Sequence, residues 1–308
     1  MRQRIRIIRT YIFVFPFLLY LKLFSKKNHK YFFFVKTIGD TCYGLSYYKY
    51  AIEKYQCTFF FTKNNATLIK DCYPDLCEKA NVIFLNRNSF WGKQLAYAIL
   101  NTKMFWHFIN SGIRSVFPYS YYNNSQLIGK TYFDFLKEIP YDFVENGAIC
   151  YPAVKHNKVT SIVGFENIKD KIVVINTHSS SLEGQSVLLW ERMVDILIQN
   201  GYIVYSNVIK EQKEIKNTKR LECSIYELYN ICMNIPLLVS IRSGILDFTI
   251  ATTCKKYAIW FNYDDEANEM MKILCDLHKW SKSNVHQVYY SHDNNVIDDF
   301  LKFIKEMS

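Results

Sequence analysis

With 308 residues, half of them hydrophobic and 21% charged, the chain can bury the cores of two ordinary domains and is not a disordered polymer. Its net charge of +10 is uneven: Arg2, Arg4, Arg6 and Arg9 crowd the start, and Lys22, Lys26, Lys27 and Lys30 follow soon after. Charge gathered at one end, without an RNA- or DNA-binding motif, argues against a nucleic-acid partner. Nine cysteines without a Cys-x-x-Cys pair or a Cys/His cluster argue against a disulfide scaffold or zinc site and for reduced thiols in the cytoplasm.

The basic residues flank an apolar run, Tyr11–Leu21, which contains Pro16 and meets Lys22 too early for the roughly 20 residues a bilayer-spanning helix needs. Residues 1–28 therefore read as an interfacial segment held to an anionic membrane surface. Ser25-Lys26-Lys27-Asn28 offers no small-residue cleavage site, so the segment is expected to stay attached. In a cytoplasmic chain the sequons Asn65-Ala66-Thr67 and Asn123-Asn124-Ser125 are chance matches.

Tyr31–Val35 is a continuous apolar run, as a strand buried on both faces requires, and it ends in the polar turn Lys36-Thr37-Ile38-Gly39-Asp40. A helix over Tyr43–Tyr55, a strand Cys57–Phe61, a helix near Ala66–Cys72 and a strand Val82–Leu85 complete a β-α-β-α-β series, the order of a parallel sheet with right-handed crossovers. Aromatic helices around Leu95–Phe108 precede a Tyr/Asn-rich stretch, Tyr119–Ser125, that reads equally as an acceptor-side lid or a surface loop. A polar stretch, Lys155–Lys171, then marks the boundary between domains 29–160 and 161–308.

A second series follows: strand Ile172–Ile175, helix Leu188–Gln199 stopped by Asn200-Gly201, strand Tyr202–Tyr205, a charged linker Lys210–Lys219, helix Ser224–Met233, strand Leu237–Ile241, helix Leu246–Thr253 and strand Tyr257–Phe261. The fold class is α/β, with two Rossmann-like parallel-sheet domains.

Three places are candidates for chemistry. In Leu237–Asp247 a buried strand passes through Arg242-Ser243-Gly244 into a helix, and free backbone N–H groups at such a start favour a phosphate. Ser240, Ser243, Gly244, Arg242 and Asp247 are the candidate donor-binding residues there; Arg242 either forks onto phosphate or pairs with Asp247, and Ser243 either binds ligand or caps the helix. Thr177, His178 and Ser179, opening the run to Ser181, occupy the same kind of strand end and suit phosphate or sugar. Asp40, with Lys36, Thr37 and Gly39, ends the first strand; it serves either as an N-cap or as a carboxylate that deprotonates an acceptor hydroxyl. Glu145, Glu183 and Asp247 are weaker catalytic candidates, each expected rather to be structural. No Asp-x-Asp triplet is placed to hold a metal, and Asp264-Asp265-Glu266, following what reads as the last strand, is expected to be a solvated turn.

Phe32–Asp40, Ile172–Ser181 with Trp190, and Val239–Gly244 before Ile250-Ala251-Thr252 together resemble the heptosyltransferase-like glycosyltransferases, often numbered family 9. That resemblance covers most of the chain through short segments. It implies two Rossmann-like domains facing across a cleft, the GT-B architecture. It also implies Asp40 as general base for inverting attack on the anomeric carbon, and Ser243 and Gly244 as holders of the donor diphosphate. The chain departs from the family where Arg242 replaces a usual acidic residue and where Thr177–Ser186 lacks an expected lysine.

The sequence thus predicts a metal-independent glycosyltransferase without a cofactor, peripheral at the inner face of a bacterial inner membrane. It would take a nucleotide-sugar donor and a glycan or lipid-linked acceptor of the lipopolysaccharide or capsule kind. Its rivals are a transferase of polyol phosphate from a CDP-linked donor and a non-catalytic nucleotide-sugar-binding partner.

Overall fold

The computed structural model describes all residues except 1, 25, 27, 35–36, 87, 103, 123, 145–146, 156, 179–185, 262–265, 281–283 and 308, with backbone only for 2, 3, 109, 119, 124 and 266–268. It divides into two compact units, residues 1–153 with 269–279, and residues 154–268 with 280–308.

The first unit opens with α1 (Arg2–Phe24), followed by β1 (His29–Phe34), α2 (Ile38–Gly44), α3 (Tyr48–Lys54), β2 (Gln56–Thr62), α4 (Ala66–Cys72), α5 (Pro74–Lys79) and β3 (Asn81–Leu85). Then come α6 (Phe90–Asn101), β4 (Ile113–Ser115), α7 (Asn124–Leu127) and α8 (Tyr132–Glu138). The strands form a parallel sheet in the order β3-β2-β1-β4. Its register sets Phe32, Phe33 and Phe34 beside Phe59, Phe60 and Phe61, and the first two pairs stack with ring centroids 4.8 and 4.5 Å apart. Such runs are stable only with both faces covered. On one side α2 comes so close that a Cβ on Gly44 would lie 2.7 Å from the Phe34 ring and 2.9 Å from Val116.

Three expectations need correction here. The helix over Tyr43–Tyr55 is two helices broken at Leu45–Tyr47, because Thr41–Tyr48 are buried without interruption and a single amphipathic helix buries only a stripe. The Tyr119–Ser125 stretch is not open loop: it holds the end of a 3₁₀ turn, Pro118–Ser120, and the start of α7. Within it Tyr121 is buried, its hydroxyl accepting the Ser115 N–H at 2.6 Å. Finally, the apolar helix does not stop short of a spanning length. The helical run continues through Pro16 and Lys22 to Phe24, and Arg4–Phe24 is long and apolar enough to cross a membrane by length and composition.

The second unit contains α9 (Phe165–Ile168), β5 (Ile172–Asn176), α10 (Val187–Gln199), β6 (Ile203–Asn207), β7 (Lys219–Leu221), α11 (Ile225–Cys232), β8 (Leu237–Ile241), α12 (Gly244–Thr249) and β9 (Lys255–Trp260). Most of α13 (Glu266–Leu274) and the turn after it belong to the first unit; β10 (Val285–Tyr289) and α14 (Asp293–Met307) return to the second. Six parallel strands run in the order β10-β9-β8-β5-β6-β7. The strand over Tyr257–Phe261 is therefore not the last, as β10 pairs outside it. Asp264 and Asp265 lie outside the described residues.

Leu189, Trp190, Met193, Val194 and Leu197 of α10, at helical spacing, cover Val173 and Ile175 of β5 in one core with Val239, Ile241, Ile259 and Phe300. Ser186 caps α10 through the Leu189 N–H, and Gly201, at φ 82°, supplies the left-handed stop its position predicts.

Candidate functional site

The second sheet reverses strand order beside its first strand: β6 lies on one side of β5 and β8 on the other. In open α/β sheets ligands bind at the carboxyl ends of strands at such a switch point. Thr177 and His178 follow β5, and Arg242, Ser243 and Gly244 follow β8, so both segments come to that position. Ser179 and Glu183 lie outside the described residues.

Beneath these turns a polar ladder crosses three adjacent strand ends. Asn207 of β6 donates to the Asn176 side-chain oxygen at 3.1 Å, and Asn176 donates to the Ser240 hydroxyl at 3.0 Å and to the His178 carbonyl at 3.2 Å. Ser240 is fully buried, its hydroxyl also donating to the Ile241 carbonyl. It therefore fixes the floor of the site rather than lining its surface. Asn176 and Asn207 were not singled out in the sequence; an asparagine ending each of two neighbouring buried strands was the available signal.

Thr177 and His178 share a side-chain hydrogen bond of 2.9 Å between Oγ1 and Nδ1, and burial lowers the His178 pKa, favouring the neutral ring. Arg242 is held from three directions. Its guanidinium lies over the Trp260 ring at 5.2 Å, one terminal nitrogen is 2.7 Å from Asp247, and the other donates to the Ser243 carbonyl at 3.1 Å. Of the two roles the sequence left open for Arg242, pairing with Asp247 is formed. Ser243 stands at the N-cap of α12 without a side-chain capping bond, and its buried hydroxyl has no hydrogen-bond partner among the described residues.

In the first unit, Thr37 rather than Asp40 takes the N-cap position of α2, which removes the N-cap reading of Asp40. Asp40 stands in the first helical turn, half-buried, and accepts a 2.8 Å hydrogen bond from the Thr37 hydroxyl. Behind it Asn65 donates to Thr41 at 2.8 Å and Thr41 donates to the Thr37 carbonyl at 2.9 Å, so the 3₁₀ turn after β2, Lys63–Asn65, braces the turn after β1. Gly39 is buried within α2. Lys36 and Glu145 lie outside the described residues. Asp40 also edges a small hollow walled by Phe33, Phe34, Val116, Phe117 and Tyr132. A larger groove, about 990 Å³, runs between α3, α5 and Gly147–Ala153, and no candidate residue lines it. Among the described residues no three His, Cys, Asp or Glu side chains are grouped to hold a metal ion.

By sequence the chain matches no protein-family model and no curated protein. Its fold is similar to that of the family 9 glycosyl transferase from Veillonella parvula, with a TM-score of 0.57 at 9% identity over 90% of each chain. The Escherichia coli ADP-heptose lipopolysaccharide heptosyltransferase II gives 0.57 at 10% identity over 90% of this chain and 98% of that one. E. coli heptosyltransferase WaaC, solved with ADP, gives 0.55 at 9% identity over 91% of this chain and all of that one. The chain thus has two parallel-sheet α/β domains, and its fold resembles that of these GT-B glycosyltransferase structures.

Proposed function

We propose that the chain is a glycosyltransferase that moves a sugar from a nucleotide-sugar donor to a glycan or lipid-linked acceptor of the lipopolysaccharide or capsule kind, with inversion and without a metal ion. The observation that carries this reading is the convergence of Thr177, His178, Ser243 and Gly244 at the switch point of the second sheet, over a polar ladder and beside a fixed arginine.

The donor diphosphate meets the N–H groups at the start of α12, with Ser243 as a further donor and the Arg242 guanidinium as a nearby positive charge. Asp40 takes the proton of the acceptor hydroxyl while that oxygen attacks the anomeric carbon. The bond from that carbon to the diphosphate breaks, and the diphosphate leaves with its charge stabilised by these groups. Nine free cysteines support a reducing compartment, and the location proposed within it is the cytoplasmic face of a bacterial inner membrane.

A thermal-shift screen of the full chain against nucleoside diphosphates and nucleotide sugars tests the donor side. A ligand at 100 times its dissociation constant stabilises by about 2.7 kcal/mol. No shift with any diphosphate would overturn the reading. Mass spectrometry of the product tests the reaction: a sugar increment is expected, and a phosphodiester increment would assign a polyol-phosphate transferase instead.

A further inference from the structure

The helix α1 carries no acidic residue, and its sequence is apolar on every side between its basic ends. Only one side is covered. Thr10, Val14 and Leu18, at four-residue spacing, are buried against the first unit, and the Thr10 hydroxyl donates to the Gln94 side-chain oxygen of α6 at 2.9 Å.

At about 100° per residue, Ile5, Ile8, Ile12, Leu19 and Leu23 fall on the opposite side, and Ile8, Ile12 and Leu23 are each at least 60% exposed. The same geometry puts Arg4 and Lys22 along one margin of that stripe and Arg9 along the other, all exposed. The surface continues onto α6: the Phe13 ring meets Phe90 at 4.8 Å and Trp91 at 6.1 Å, and both partners are themselves about half exposed.

We propose that α1 lies in the plane of an anionic lipid surface, with Ile5, Ile8, Ile12, Leu19 and Leu23 among the acyl chains and Arg4, Arg9, Lys22 and Trp91 at headgroup level. An apolar stripe margined by cations and bordered by tryptophan is complementary to a negatively charged bilayer. A second copy of the chain is the poorer partner, because it would bring two wholly cationic helices together. Crossing the membrane would require α1 to leave α6, breaking the Thr10–Gln94 bond and uncovering Val14 and Leu18. The inference stands on α1 and its neighbours and does not depend on the transferase reading.

The test is sedimentation of the full chain with vesicles of phosphatidylcholine alone and of phosphatidylcholine mixed with phosphatidylglycerol. Binding to the mixed vesicles is expected, weakened by salt and accompanied by a blue shift of tryptophan emission that Trp91→Phe reduces. The double variant Ile8→Asp, Ile12→Asp should bind at least tenfold more weakly, with its thermal melt and any nucleotide-induced shift unchanged; loss of those would instead report on the fold or the donor site. Arg4→Gln with Arg9→Gln should weaken binding to the mixed vesicles only. Wild-type protein that ignores both vesicles, a double variant that binds as well as wild type, or membrane-bound protein that resists alkaline extraction would each overturn the in-plane assignment.

Discussion

The carboxylate of Asp247 lies 2.7 Å from the guanidinium of Arg242, with the two side chains 6% and 8% exposed. A charge pair this buried gains little over an apolar pair, but removing one member strands the other. Asp247→Ala is therefore expected to cost about 3–5 kcal/mol in urea unfolding. Arg242→Met combined with Asp247→Ala should recover much of the loss. A single-variant cost under about 1 kcal/mol would show that the pair behaves as a surface ion pair.

Arg242→Lys separates structure from binding at the same place. Lysine keeps the charge opposite Asp247 but loses the planar fork that reaches Asp247 and the Ser243 carbonyl together and stacks on Trp260. Under the proposed function, affinity for a nucleoside diphosphate should fall about tenfold, as loss of about 1.4 kcal/mol requires, measured by calorimetric titration. Unchanged affinity would remove Arg242 from the donor site while leaving its structural pairing intact.

Asp40 is half-buried and bonded to Thr37, so Asp40→Asn should leave the melting temperature nearly unchanged. If Asp40 is the general base, kcat falls about a hundredfold or more. Thr37→Val keeps the carboxylate and removes the hydroxyl that orients it, and a smaller drop in kcat, about tenfold, with little change in KM is expected. Steady-state kinetics with a fixed acceptor decide the matter, and wild-type kcat in Asp40→Asn would move the base elsewhere.

The strands were legible where a continuous apolar run leaves no second interpretation, as in Phe32–Phe34 and Leu237–Ile241. β4 was not, because it is three residues long and its middle residue is Arg114, buried only because Asp142, far along the chain, neutralises it. β10 was hidden by the polar His286 and Gln287 of an edge strand. For the site, the local sequence located the turn at Ser243-Gly244 and could not say where the Arg242 side chain goes. Asp247 is one helical turn away and Trp260 is on the next strand, and only the folded sheet brings the latter beneath the guanidinium. The ladder of Asn207, Asn176 and Ser240 depends in the same way on strand order, since β5 and β6 follow one another in the chain but β8 comes beside β5 only in the folded sheet.

That ladder makes Asn176 a position with two readouts. Asn176→Ala leaves the buried Asn207 amide and the His178 carbonyl without their partner, and stranded buried groups cost about 1–3 kcal/mol each. The loss should appear in urea unfolding, together with a smaller nucleotide-induced thermal shift, because the turn carrying His178 is no longer tethered. A variant as stable as wild type would mean that water replaces the ladder.

Asp142 provides the pH test. Burial works against ionisation of its carboxyl, but Lys30 at 2.6 Å and Arg114 at 3.0 Å more than offset this and hold it below the usual carboxylate range. A carboxyl lowered on folding contributes stability that is present above its unfolded pKa, about 3.9, and is lost as pH falls through the folded value. Asp142 is also at φ 54°, a left-handed conformation that asparagine tolerates, so Asp142→Asn changes the charge without straining the backbone. The variant should be clearly less stable than wild type at neutral pH, because Arg114 loses its counter-charge. The two stability curves should converge as the pH falls through the lowered folded pKa of Asp142, where the wild-type carboxyl itself becomes neutral. Parallel curves down to that pH would show that the triad contributes no ionisation-linked stability.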